Sequence, residues 1–192
     1  MSCVMSVLAL VARSGLWFGG GLILLSAILI GIDVFLRKVF VISIGGGDEL
    51  AGYALAIGTA WALAATLLDR AHIRIDSLYM LLPGSIRIVL DLAGLVLLVG
   101  FFALVFWHGL GVLEQSWTSN SRSQSALETP LIVPQAIWLL GLALFILVGV
   151  ALCIAALARL ARGDRAGMAE LIGTRSAADE VAEEVRAMER RR

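Results

Sequence analysis

The chain has 192 residues, of which 60% are hydrophobic and 16% charged, and its formal net charge is zero. With a mean hydropathy of +0.94, it is too apolar for a water-soluble domain of this length, and with no net charge it has no electrostatic claim on nucleic acid. Two cysteines, Cys3 and Cys153, give neither a disulfide framework nor metal-ligand spacing and read as unpaired thiols.

Long uncharged runs carry the hydrophobicity, and each reads as a membrane span. Residues 1–11 are apolar but lack a basic leader segment, and Arg13 follows them, so the expectation is a short interfacial lead-in and no cleaved signal peptide. The first span runs over 14–36, with Asp33 as its only charge. Asp33 lies about 27 Å along the helix from Gly15, near the far interface, and Arg37 sits one turn beyond it on the same face. Two readings follow: an interfacial ion pair that anchors a helix end, or an ion or proton site in the membrane.

Gly45, Gly46 and Gly47 then form a flexible turn, and Asp48 and Glu49 open the second span, where acids complement a helix N-terminus. That span, 50–68, holds nineteen residues without a charge, which is roughly 28 Å of helix and matches a bilayer's hydrocarbon core. Within it Ala54, Gly58, Ala62 and Thr66 recur every four residues, a face without bulk along which another helix can approach. From Asp69 to Leu82, polar His72, Arg74 and Asp76 alternate with Ile73 and Ile75, so this segment lies in the interface with its apolar side chains dipping inward. Pro83 and Gly84 interrupt it, and Ser85 is placed to cap the next helix.

The third span covers 92–113 and contains His108 near its end. A haem would want a second histidine at membrane depth, and His72 stands outside its span, so a membrane cytochrome is disfavoured. Glu114 to Pro134 is Ser-rich and polar and reads as a loop long enough to carry a contact surface. The fourth span, 136–158, has Trp138 near its start, where an indole suits the headgroup layer. The tail, 159–192, carries eight basic and seven acidic residues. Ser176 with Asp179 makes a capping pattern there, ahead of Val181, Val185 and Met188 on one face of a short solvated helix. The expected organisation is a four-span membrane domain, 1–158, and a tail, 159–192.

Counting Lys and Arg by side gives twelve for the N-terminus, the second loop and the tail, against three for the other two loops. Both termini and the His72 to Asp76 segment are therefore expected on the cytoplasmic side. The fold class is an all-α integral membrane protein with four transmembrane helices, a cytoplasmic-side interfacial amphipathic segment and a short helical C-terminal tail. No phosphate loop, nucleophile elbow or metal-ligand cluster is present in the sequence, so neither an enzyme nor a cofactor is expected. The spans also offer too few polar groups for a self-sufficient pump, which leaves a subunit as the best reading. The alternative is a small oligomeric exporter or channel that uses Asp33.

Several residues in order carry a resemblance. Arg37 to Phe40 (RKVF) after the first span, Asp48-Glu49-Leu50, His72 to Asp76 (HIRID) after the second, Leu82-Pro83, and Thr129 to Trp138 (TPLIVPQAIW) together resemble the small permease subunit of tripartite ATP-independent periplasmic (TRAP) transporters. The likeness covers about Leu16 to Leu157. Where that family has an aromatic residue and two glutamates before its second span, this chain has Gly45-Gly46-Gly47-Asp48-Glu49, and the tail after Arg159 has no matching pattern. The resemblance implies a bacterial inner-membrane scaffold that works with a separate large permease and a periplasmic substrate-binding protein, in a system importing an organic acid on a sodium gradient. It makes Arg37, Glu49, His72, Arg74, Asp76 and Trp138 the candidate residues for subunit contact or membrane positioning.

Overall fold

A computed structural model describes residues 3–43, 45–69, 82–172 and 188–189. Helix α1 spans Cys3–Phe40, α2 Gly47–Leu68, α3 Gly84–Thr118, α4 Ile132–Ala161 and the short α5 Arg165–Ile172. Among the described residues, four helices are long and apolar enough to cross a membrane, and no strand is formed. The chain is an all-α, four-span membrane protein. The interfacial segment expected around His72, Arg74 and Asp76, and most of the tail helix expected after Ser176, lie outside the described residues.

The helices overrun the uncharged segments. Residues 1–11, expected as a separate lead-in, belong to α1 from Cys3 onward. No Gly or Pro separates them from Arg13, and Ser14 Oγ bonds back to the Leu10 carbonyl (3.0 Å), so the ladder simply continues. The apolar stretch of α1, Met5–Phe40, is 36 residues, about 54 Å against a core of about 30 Å, so its ends project from the hydrocarbon or the helix tilts. The third helix likewise starts at Gly84, which places Ser85 inside the first turn. The Pro83 carbonyl accepts from the amides of Ile86 and Arg87 (2.9 and 3.2 Å).

The Ser-rich loop is correspondingly shorter than expected. Glu114 to Thr118 are helical, because nothing there breaks a helix, and α3 runs to Thr118 before Asn120, whose φ of 47° is left-handed, turns the chain away. The Ser121 amide donates to the Ser116 carbonyl and the Asn120 amide to that of Trp117 (3.0 and 3.3 Å), the paired closure of a Schellman motif. At the other side α4 begins at Ile132. Pro134 fits inside its first turn, where an amide has no intrahelical acceptor to lose.

The structure divides into two compact units, residues 1–69 with 99–150 and residues 70–98 with 151–192. In the first, α2 lies between α1 and α4. A Cβ on Gly19 would fall 2.4 Å from the Gly58 carbonyl oxygen, and one on Gly58 would fall 2.8 Å from that of Gly19. This is backbone-to-backbone packing, the form helix association takes where lipid removes the hydrophobic drive. Gly58 of the expected small-residue face therefore meets α1. The deepest burial is on other positions, Ala60, Ala64 and Ala65. Ala60 packs with Leu139 and Leu142, and Phe102, Val105, Phe106 and Trp138 close around them.

Trp61 joins three helices. Its indole Nε1 donates to the Ile137 carbonyl of α4 (2.9 Å), and its ring meets Phe18 edge to face. Gly15 and Gly141 leave the space, since a Cβ at either would come within 3.1 and 2.8 Å of the Trp61 side chain. Farther along, Phe102 and Phe145 stack edge to face with centroids 4.7 Å apart, and Gly149 receives Val99. The share of each apolar window that is buried, 39% for α2 and 44% for α4 against 11% for α1 and 17% for α3, makes α2 and α4 the inner pair.

In the second unit, α4 closes with another Schellman pair around Gly163 (φ 75°), in which the amides of Asp164 and Gly163 bond to the carbonyls of Arg159 and Leu160. Asp164 then caps α5, its Oδ1 accepting from the Gly167 amide (2.8 Å). Arg159 Nη1 donates to the Gly167 carbonyl (2.5 Å), and Met168 and Ile172 are buried. Asp91, a carboxylate only 2% exposed, sits on the part of α3 that belongs to this unit.

Candidate functional site

Two loops meet at one end of the first unit: the glycine turn between α1 and α2, and the loop from Ser119 to Leu131. The second is pinched at its neck, where the Ser123 amide donates to the Thr129 carbonyl (2.9 Å) and the Leu131 amide to that of Ser121 (3.1 Å). Its tip rests on the glycine turn. Gly45 and Gly46 take φ of 68° and 84°, which side chains with a Cβ rarely adopt. A Cβ at Gly46 would also lie 2.6 Å from Leu127 Cδ1, so the glycines here serve both the turn and the docking.

Glu49 fastens the two loops together. Ser123 Oγ donates to its Oε2 (2.5 Å) and Ser125 Oγ donates to the same oxygen. Ser125 Oγ in turn accepts from the Leu127 amide (3.1 Å), which orders the tip. Glu49 precedes the uncharged run that begins at Leu50, so it lies outside the span. Hydrogen bonds from Ser123, then Ser125 and Tyr53, lower its carboxyl from the ordinary 4.5 to about 2. It is therefore an anion at any physiological pH, held by hydroxyls 74 and 76 residues away.

Asp33 and Arg37 form the second polar cluster of this end. Arg37 Nη2 bonds to Asp33 Oδ2, and Ser43 Oγ donates to Asp33 Oδ1 (3.0 Å). The Gly45 amide donates in turn to Ser43 Oγ (3.4 Å). Asp33 is 4% exposed, and a Cβ on Gly47 would stand 3.9 Å from its carboxyl carbon, so the carboxylate faces the N-terminus of α2. That position complements the helix dipole. Of the two readings of Asp33, this geometry is that of a paired helix-end anchor.

The remaining candidates separate. Trp138 is half-buried against Gly109, where a Cβ would fall 3.1 Å from its ring, and it packs on the Leu139 and Leu142 core. His72, Arg74 and Asp76 lie outside the described residues. Among the described residues, no three His, Cys, Asp or Glu side chains come together to hold a metal, and His108 is exposed on the side of α3. Sequence reasoning missed Trp61, although an indole N–H amid Ala and Gly inside an uncharged span demands an acceptor and room. It also missed the pairing of Glu49 with Ser123 and Ser125, for which spacing gives no signal.

No curated protein and no solved structure matches the chain. The family model described as tripartite ATP-independent periplasmic transporters, DctQ component, matches residues 26–163, well over half of the sequence. That match covers the residues of both clusters, the last part of α1 and the whole of α2, α3 and α4: the chain belongs to the DctQ family and is a multi-pass small subunit of a TRAP-type transporter.

Proposed function

We propose that this chain is the fixed membrane scaffold of a three-part importer, holding a separate large permease in the bilayer while a periplasmic binding protein delivers an organic acid and a sodium gradient drives uptake. The family match over residues 26–163 carries the reading. The geometry supports it in two ways. The charged residues at the loop end take part in internal fastening, with Asp33 held by Arg37 and Ser43 and one oxygen of Glu49 by two serines. The faces of α1 and α3 are largely uncovered and apolar, offering lateral surface to a partner helix.

In this reading both termini face the cytoplasm, as the distribution of Lys and Arg suggests, and the joined loops face the periplasm, where they form a firm platform for the binding protein. Arg37 and Glu49 act by shaping that platform. Trp138 acts through packing, and His72, Arg74 and Asp76 set depth and tilt at the opposite interface. Uptake into proteoliposomes tests the proposal. Accumulation of the organic acid should require this chain, the large permease and the binding protein together with an inward sodium gradient. Full-rate uptake by the other two components alone would overturn it.

A further inference from the structure

A second feature of the loop end is a cleft of about 200 Å³ lined by Ser116, Trp117, Asn120, Ser121, Pro130 and Ile132. We propose that this cleft holds the phosphodiester of a membrane phospholipid. At about 30 Å³ per water the cleft has room for roughly seven waters, below the range of about 300–1,000 Å³ typical of pockets for drug-sized ligands. It fits a headgroup and excludes a bulky solute.

Chemistry narrows the ligand further. Ser116 offers a hydroxyl, Asn120 a carboxamide and Trp117 an indole N–H, while the Ser121 hydroxyl is bonded to that of Ser119 (2.8 Å); among the described residues no Asp, Glu, Lys or Arg lines the cleft. Ser116 is only 7% exposed, yet it lines this space. Neither its hydroxyl nor the Asn120 carboxamide is spent on another described group. Helix α4 begins at Ile132, which lines the same space; the Val133 and Gln135 amides bond to the Pro130 and Leu131 carbonyls and Pro134 has none, so the helix contributes the partial positive charge of its N-terminus. A wall of uncharged donors beside a helix N-terminus favours a ligand rich in acceptors, and a phosphodiester is one.

Position supplies the source. Trp117 lies four residues past Leu113, the end of the uncharged run, which is about 6 Å along the helix and inside a headgroup layer about 5–8 Å thick. Its indole is 71% exposed, the placement of an interfacial aromatic with an apolar body and a polar edge. Acyl chains of a lipid seated here would run down the uncovered side of α3 past Val112, which is also exposed.

The test is native mass spectrometry of the full-length chain, delipidated in detergent and then titrated with dioleoylphosphatidylethanolamine, with and without excess inorganic phosphate. The wild type should keep one phospholipid. Asn120→Gly, which preserves the left-handed turn while deleting the carboxamide, and Ser116→Leu, which fills the cleft, should each lower its occupancy by about tenfold, the loss expected from one or two hydrogen bonds. Leu104→Ala, on the exposed side of α3 away from the cleft, should change nothing. Retention by Asn120→Gly equal to wild type would overturn the proposal even if Ser116→Leu misfolds. Displacement of the lipid by inorganic phosphate would make the cleft a free-anion site and would overturn it as well.

Discussion

Replacing Gly19 with alanine should loosen the contact between α1 and α2 more than alanine at any other glycine of α1. The new Cβ would stand 2.4 Å from the Gly58 carbonyl oxygen and 3.0 Å from the Gly58 Cα, against about 3.3 Å for a close C···O contact, so the helices must part by roughly 0.9 Å. Both atoms belong to backbone, so no side chain can swing away. A gap of that order forfeits about a quarter to a half of the dispersion energy of the contacts it opens, and overpacking of this kind costs roughly 1–3 kcal/mol. For a chain of this size that amounts to a fall in Tm of about 2–12 °C. The internal control is Gly20→Ala, where a Cβ meets nothing within 4 Å; there the better helix propensity of alanine should leave Tm equal or slightly raised. Thermal unfolding in detergent, followed by circular dichroism, gives both values. Equal Tm for the two variants would refute the backbone-contact account of this pair.

Other consequences follow from the polar clusters. Trp61→Phe keeps the ring between Gly15 and Gly141 but deletes the bond to Ile137, and should cost about 0.6–1.5 kcal/mol in the same unfolding assay. The Glu49 carboxyl is lowered on folding, so its hold on the 119–131 loop is fully present above about pH 4.5 and is lost as pH falls toward 2. Hydrogen exchange of Ser123 to Leu127 should report that loss, and Glu49→Gln should remove the pH dependence in this window. Asp33→Asn should lower stability by weakening the pair with Arg37 while leaving the transport rate of the assembled system within about twofold. Abolished transport by a well-folded, assembled Asp33→Asn protein would favour the exporter reading.

Much of this architecture is legible in the sequence because lipid enforces it. An uncharged run of about twenty residues has little choice but to be a spanning helix, and the same physics placed Asp33 and Arg37 one turn apart at a helix end. The glycine turn at Gly45 and Gly46 is legible for a local reason, since positive φ excludes most other residues. Helix ends are less so. Arg13 and Glu114 stop an uncharged run without stopping a helix, and the true end of α3 is set by the left-handed turn at Asn120. Long-range pairing is least legible: nothing between Glu49 and Ser125 marks them as partners, and Ala60 and Gly58 differ only in which neighbour each meets. Trp61 shows the middle case, a residue whose chemistry announces a need without naming what satisfies it.

The most direct test of the scaffold account is affinity purification of the tagged full-length chain from its native host in a mild detergent, with the mass and stoichiometry of every companion determined. The account predicts one large many-span membrane protein in a one-to-one ratio. A homo-oligomer of this chain with no such partner would contradict it.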